Sequence, residues 1–168
     1  MNGNLSIAGS GTYSFDSVYV TGNVSISGSA NVTFASLRVG GTLSASGSGS
    51  YHVGPTYVAG NVTLSGSGQF LGSLLVTSGT LSVTGSLTIG GDGAGTHAKP
   101  VRILVVGASK TITLSGSGTI YGELYDQTGS VTQSGSGLIR GQVLCGGAYT
   151  ASGSGDLKYD QTVLDNLS

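Results

Sequence analysis

The 168 residues include no tryptophan, two prolines and one cysteine, and charge is scarce, with six Lys plus Arg against seven Asp plus Glu. A single cysteine, Cys145, permits no internal disulfide framework and leaves the redox compartment open. A formal charge of −1 offers no basic footprint for nucleic acid or for an anionic lipid surface, which excludes the electrostatic modes of binding either one. No apolar run approaches the ~18 residues of a membrane-spanning helix, the longest being Ile103 to Val106, so no membrane insertion is expected. Met1 opens into polar sequence without a signal-peptide core. The expectation is a cytoplasmic, cytoskeletal location if Met1 is the native start, and a bacterial cell surface or extracellular one if upstream sequence was removed.

What the chain has in excess is glycine, 32 residues where average usage of about 7% would give about 12. Gly and Ser in such numbers usually mean a flexible linker. That reading fails, because 38% of the residues are apolar and they are spread evenly along the chain, enough to bury a core.

The order lies in a repeat. Ser-Gly-Ser-Gly or a near variant begins at Ala8, Ser27, Ser46, Ser65, Thr84, Ser115, Ser134 and Ser152, at intervals of 19, 19, 19, 19, 31, 19 and 18. Rows opening four residues earlier place apolar side chains in columns. The second position reads Leu5, Val24, Leu43, Val62, Leu81, Ile112, Val131, Tyr149, and the fourth reads Ile7, Ile26, Ala45, Leu64, Val83, Leu114, Gln133, Ala151. The tenth reads Tyr13, Val32, Tyr51, Phe70, Ile89, Ile120, Ile139, Leu157. A third apolar set begins at Val18, Leu37 and Leu75 and continues at Val20, Val39 and Val58.

Each row thus holds three short period-2 segments broken by Gly or Ser turns. The reading is an all-β fold, a single-stranded parallel β-helix (β-solenoid) of about eight coils of 19 residues, with three short strands per coil and like residues stacked in its interior. At roughly 4.8 Å per coil the rod is about 38 Å long, and right-handed winding is the default for parallel crossovers. One domain spans 1–168. A loop insertion at 90–100 supplies the extra residues of the fifth coil, and 160–168, with Val163, Leu164 and Leu167 at helix-like spacing, is expected to cap the last coil.

Chemistry is harder to find. The Gly-rich corners have neither the spacing of a dinucleotide fingerprint nor the lysine of a P-loop, and no Gly-x-Ser-x-Gly elbow is present. His52 and His97 read as solvated histidines, and Asp92 with His97 make only two candidate metal ligands in one loop. The best acid pair is Glu123 and Asp126, with Lys110 and Arg140 on neighbouring coils, which reads as a solvated, weakly paired surface group. Cys145 falls near an inward column as a small apolar filler. No catalytic, cofactor-binding or metal site is assigned, and the chain is read as non-enzymatic.

One outward feature is regular. The third position reads Ser6, Ser25, Ser44, Thr63, Ser82, Thr113, Thr132, Thr150, so Thr63, Thr113, Thr132 and Thr150 would stand in a flat hydroxyl grid like those of ice-binding solenoids.

Ser134-Gly-Ser-Gly-Leu-Ile-Arg-Gly-Gln-Val-Leu-Cys145, and the opening Ile7-Ala-Gly-Ser-Gly-Thr-Tyr-Ser-Phe-Asp-Ser-Val18, resemble the bactofilins, polymer-forming bacterial cytoskeletal proteins. The segments Pro100-Val-Arg-Ile-Leu-Val, Leu114-Ser-Gly-Ser-Gly-Thr-Ile-Tyr-Gly122 and Ser152-Gly-Ser-Gly-Asp-Leu-Lys-Tyr-Asp160 are similar to the β-helical C-terminal domain of PilX-type pilus assembly proteins. Both resemblances imply a β-helix without enzymatic activity. The function expected is a structural protein that self-assembles end to end through its terminal coils, its partner being itself and its interface Leu5, Ile7, Tyr13, Phe15, Val163, Leu164 and Leu167. The alternative is a surface-displayed or pilus-associated binding module, including one with an ice-binding Ser/Thr face.

Overall fold

The computed structural model describes residues 1–91 and 99–167. It is a β-solenoid of about eight turns with parallel strands stacked about 19 residues apart. Coil one is β1 (Leu5–Ile7) and β2 (Thr12–Val20), and coil two is β3 (Val24–Ile26) and β4 (Asn31–Val39). Coil three is β5 (Leu43–Ala45), β6 (Ser50–Val53) and β7 (Thr56–Val58), and coil four is β8 (Val62–Leu64), β9 (Gln69–Gly72) and β10 (Leu74–Thr77). Coil five is β11 (Leu81–Gly85), β12 (Thr88–Ile89) and β13 (Val101–Val105). Coil six is β14 (Thr111–Gly116) and β15 (Thr119–Asp126), and coil seven is β16 (Ser130–Gly135) and β17 (Leu138–Cys145). Coil eight is β18 (Tyr149–Ala151) and β19 (Asp156–Tyr159), followed by helix α1 (Gln161–Asp165).

The first strand of every coil enters one eight-stranded parallel sheet, β1-β3-β5-β8-β11-β14-β16-β18. The second and third enter the other sheet, where they run together as one bent strand in β2, β4, β15 and β17 and stand apart in coils three to five. β4 shows that each long strand takes the place of two, since Val32–Phe34 pair with β6 and Leu37–Val39 with β7.

The register repeats the intervals read in the sequence. Leu5 pairs with Val24, Val24 with Leu43, Leu43 with Val62, Val62 with Leu81, Leu81 with Ile112, Ile112 with Val131 and Val131 with Tyr149. The step from Leu81 to Ile112 absorbs the insertion, which leaves the solenoid between β12 and β13. Asp92 and His97 fall at 92–98, outside the described residues.

Interior ladders follow from this register. Val24, Leu43, Val62, Leu81, Ile112 and Val131 are buried in one, and Val32, Tyr51, Phe70, Ile89, Ile120 and Ile139 in another. Each fully buried aliphatic side chain contributes roughly 1.5–3 kcal/mol. Two kinds of corner let the coils approach. At the Ser-Gly-Ser-Gly corner Gly47 holds φ 112, and a Cβ there would overlap the Gly28 carbonyl oxygen of the coil before it. At the other corner asparagines bridge coils, with Asn4 Oδ1 accepting from Asn23 N (2.8 Å), Asn23 Oδ1 from Thr42 N (2.8 Å) and Asn61 Oδ1 from Thr80 N (2.9 Å).

Candidate assembly surfaces

The ends of the solenoid differ from its middle by one missing neighbour. β1 pairs only with β3, β2 only with β4, β18 only with β16 and β19 only with β17, so each terminal coil keeps one edge of backbone groups without a strand partner. Side chains show the same loss. Tyr13 and Leu157 end the ladder whose six inner members are at most 4% exposed, yet are themselves 37% and 39% exposed.

The expected interface residues are placed unequally. Leu5 and Phe15 are half-buried at the first coil, and the Phe15 ring stacks on Phe34 with centroids 5.0 Å apart. Ile7 is only 5% exposed and belongs mainly to the core. Val163 is fully buried within the chain itself, and Leu164 and Leu167 are half-buried, so Val163 is out of a partner's reach while α1 stays docked.

The segment expected to cap the last coil is a helix on the flank. Asp160 is its N-cap, accepting from Val163 N at 3.3 Å, and α1 packs mainly against β17 and β15. Arg140 Nη1 lies 3.8 Å from Asp160 Oδ2, and Asn166 borders a cleft of about 530 Å3 reaching back to Phe34 and Pro100. All four residues of β19 remain exposed. The reason is local. β19 ends at Tyr159, the cap that Asp160 makes turns the chain into a helix before a third strand can form, and Val163 is buried on the flank.

The two ends are alike in extent. The first coil offers β1 and the first half of β2, while Met1 lies on the second half, its amine donating to Tyr19 O at 2.7 Å and its carbonyl accepting from Thr21 N at 3.1 Å, and coil eight offers β18 and β19. Beside them the last residues of β17 are partly uncovered, with Leu144 45% exposed.

The acid pair does not converge. Along β15 burial alternates, so Glu123 points out and Asp126 points in. Glu123 Oε2 accepts from Arg102 Nε at 2.8 Å, a partner not singled out from the sequence. Asp126 corrects the reading of a solvated group. It is fully buried as register partner of Val105 and Cys145, one carboxylate oxygen accepts from Gly129 N at 2.8 Å, and the other has no partner among the described residues. Lys110 is half-buried and His52 exposed on the surface. Cys145 is a half-buried free thiol packed against the core.

The hydroxyl column is in register over the whole rod, from Ser6 through Thr63, Thr113 and Thr132 to Thr150, and these five are exposed. A second outward column was not picked out in the sequence. On the third strands, Tyr19, Arg38, Tyr57, Val76, Leu104, Tyr125 and Leu144 follow one another in register. Tyr19 is 57% and Tyr57 41% exposed, and the Arg38 guanidinium sits 5.5 Å from the centre of the Tyr57 ring. The 19-residue spacing of Tyr19, Arg38 and Tyr57 was available, but Arg38 and the insertion after coil four interrupt the column.

Among the described residues no helix is long and apolar enough to cross a membrane, and no three His, Cys, Asp or Glu side chains are grouped to hold a metal ion. Comparison of the chain with family models, with curated proteins and with solved structures finds no match.

Proposed function

We propose that this chain is a non-enzymatic structural protein that associates with itself end to end through its terminal coils, building a filament or scaffold. The observation that carries the reading is the uncovered edge of β1 and the first half of β2 in the first coil, on which Tyr13 is 37% exposed where its ladder is otherwise buried. A second coil laid on that edge would give the free backbone groups hydrogen-bond partners and cover Leu5, Tyr13 and Phe15 together. The apolar side chains gathered on the first coil, Leu5, Tyr13 and Phe15, favour contact between two N-terminal coils. The likeness of the corners to bactofilins is in keeping with this reading, as is the open edge of β19.

Negative-stain electron microscopy of the purified chain over a concentration series tests it. Filaments a few nanometres wide are expected, and Tyr13→Asp should disperse them into short rods that keep a native β-sheet spectrum. Isolated rods at every concentration reject polymerisation, and filaments persisting in Tyr13→Asp reject the N-terminal contact.

The hydroxyl column favours a second reading, a surface-displayed module, pilus-associated or ice-binding, that docks its eight-stranded sheet on a regular surface. Its exposed Thr63, Thr113, Thr132 and Thr150 repeat with the coil spacing of about 4.8 Å. Thermal hysteresis tests the ice-binding form, and its absence leaves that form without support.

A further inference from the structure

Exposed large apolar side chains on this rod have two addresses. Met1, Tyr13, Leu157 and Tyr159 stand in the terminal coils, while Tyr19, Tyr57 and Leu144 stand in the single outward column on the third strands. Between those three the column holds Arg38, Val76, Leu104 and Tyr125. The outward column beside it runs Ser17, Ser36, Pro55, Leu74, Arg102, Glu123 and Gln142 on the same register. The face therefore has seven rows, one for each coil from one to seven, and coil eight has no third strand.

Its middle row, in coil four, is Leu74 and Val76, the one row in which both outward residues are aliphatic. A two-fold axis lying along that row turns a second copy antiparallel and sets each residue against one in its own column. Val76 then meets Val76 and Leu74 meets Leu74, Tyr57 meets Leu104, and Tyr19 meets Leu144. Arg38, the one charge of its column and already over the Tyr57 ring of its own chain, meets Tyr125 and comes beside Glu123, whose carboxylate is held by Arg102 of its own chain, and that Arg102 falls on Pro55. In the central row and along the Tyr19 to Leu144 column apolar residues fall on apolar residues, and the Arg38 cation falls on an aromatic ring. The alternative axis, along the rod, would set Leu104 against Arg102 and leave Arg38 facing Ser36.

We infer that the third-strand face is a lateral interface for a second copy of this chain, packed antiparallel about the Leu74 and Val76 row. A second solenoid is the occupant because it alone repeats at the same spacing and carries the complementary order of side chains. Seven rows at about 4.8 Å by four residues at about 3.3 Å give a flat footprint of roughly 400 Å2 per copy. That is about half of the ~800 Å2 per partner of a standard interface, so the pair is weak and concentration-dependent, and it strengthens when protomers already joined end to end present the face in a row. The lateral pair does not depend on the end contact.

Crosslinking separates the two. In a Cys145→Ser, Tyr13→Asp background, which leaves one cysteine at a time and disables the proposed end contact, Val76→Cys should join to itself through a bis-maleimide matched to the sheet separation of about 10 Å. Tyr19→Cys should join to Leu144→Cys in a mixture at least tenfold more than to itself, and adding Arg38→Glu should reduce every yield severalfold. All of these positions point outward, and an unchanged β-sheet spectrum verifies the fold. A Val76→Cys chain that stays monomeric at millimolar concentration overturns the interface. Equal self-joining of Tyr19→Cys overturns the antiparallel arrangement. Filaments seen by microscopy without these crosslinks would leave the end contact standing and this one rejected, and crosslinks without filaments the reverse.

Discussion

Asp126 is the register partner of Val105 and stands fully buried in the column that Val20, Val39 and Val58 begin. It replaces a valine because the chain turns three residues later and Gly129 N needs an acceptor, which Asp126 Oδ1 supplies at 2.8 Å. Thr77 does the same for Gly79 N at 3.1 Å in coil four, without a charge. A buried carboxylate oxygen with no partner is costly, so neutralising it while keeping the acceptor should help. Asp126→Asn is expected to stabilise the chain by about 1 kcal/mol and raise its melting temperature by about 2–4 °C. Asp126→Ala, which orphans Gly129 N and opens a void, should lower it, and thermal melts of the two variants decide the matter.

Gly9 and Gly47 occupy the same corner with similar backbones, φ 101 and φ 112. They differ in what lies behind them, since a Cβ at Gly9 meets nothing within 4 Å and one at Gly47 overlaps the Gly28 carbonyl. Gly9→Ala should therefore cost about 1–2 kcal/mol, the penalty of a left-handed non-glycine residue. Gly47→Ala adds a backbone clash between coils and should cost at least twice as much. Denaturant titration of both variants isolates the stacking component, and equal losses would show that conformation alone demands glycine at this corner.

These two cases mark how far the sequence could be read. The corner motif sets coil length and the phase of the first and second strands, so Leu5 to Tyr149 and Tyr13 to Leu157 are legible as ladders from residue spacing alone. The third strand is legible only as far as Leu75. Thr77 interrupts its apolar column, the insertion shifts the count by twelve, and Asp126 then looks like a surface acid because Glu123 stands three residues away. The same break conceals the outward column from Tyr19 to Leu144. Helical spacing at Val163, Leu164 and Leu167 announces a helix but does not say whether it covers the end or the flank, which depends on the turn that Asp160 makes.

Tyr51 gives the fold an alkaline limit. Its ring is fully buried, its hydroxyl donates to Ser46 O at 2.8 Å, and burial holds its pKa above the ordinary 10.0. The unfolded chain loses this proton near pH 10 while the folded chain retains it, so the contribution is complete below pH 10 and is lost as pH rises towards the folded value. Tyr149 acts in the same direction, through burial and then the nearby Asp156 carboxylate. Stability is expected to fall above about pH 10, and Tyr51→Phe should flatten that decline while lowering stability near neutrality by about 1 kcal/mol for the lost hydrogen bond. Melting curves between pH 7 and 11 test both parts, and an undiminished alkaline decline in the variant would remove Tyr51 as its source.

Val163 separates a helix that guards the end of the rod from one that only covers its side. It is the one buried residue of α1, and the helix is five residues long, too short to persist without that anchor. Val163→Asp should release the segment after Asp160, seen as rapid hydrogen exchange over 161–167, while the solenoid's melting temperature changes by less than about 3 °C because the coils keep their own ladders. End-to-end assembly should persist, since the β19 edge is exposed with the helix docked and gains nothing to hide when it leaves. If filaments vanish in Val163→Asp while the coils stay folded, α1 belongs to the end contact after all, and Leu164 and Leu167 return as interface residues.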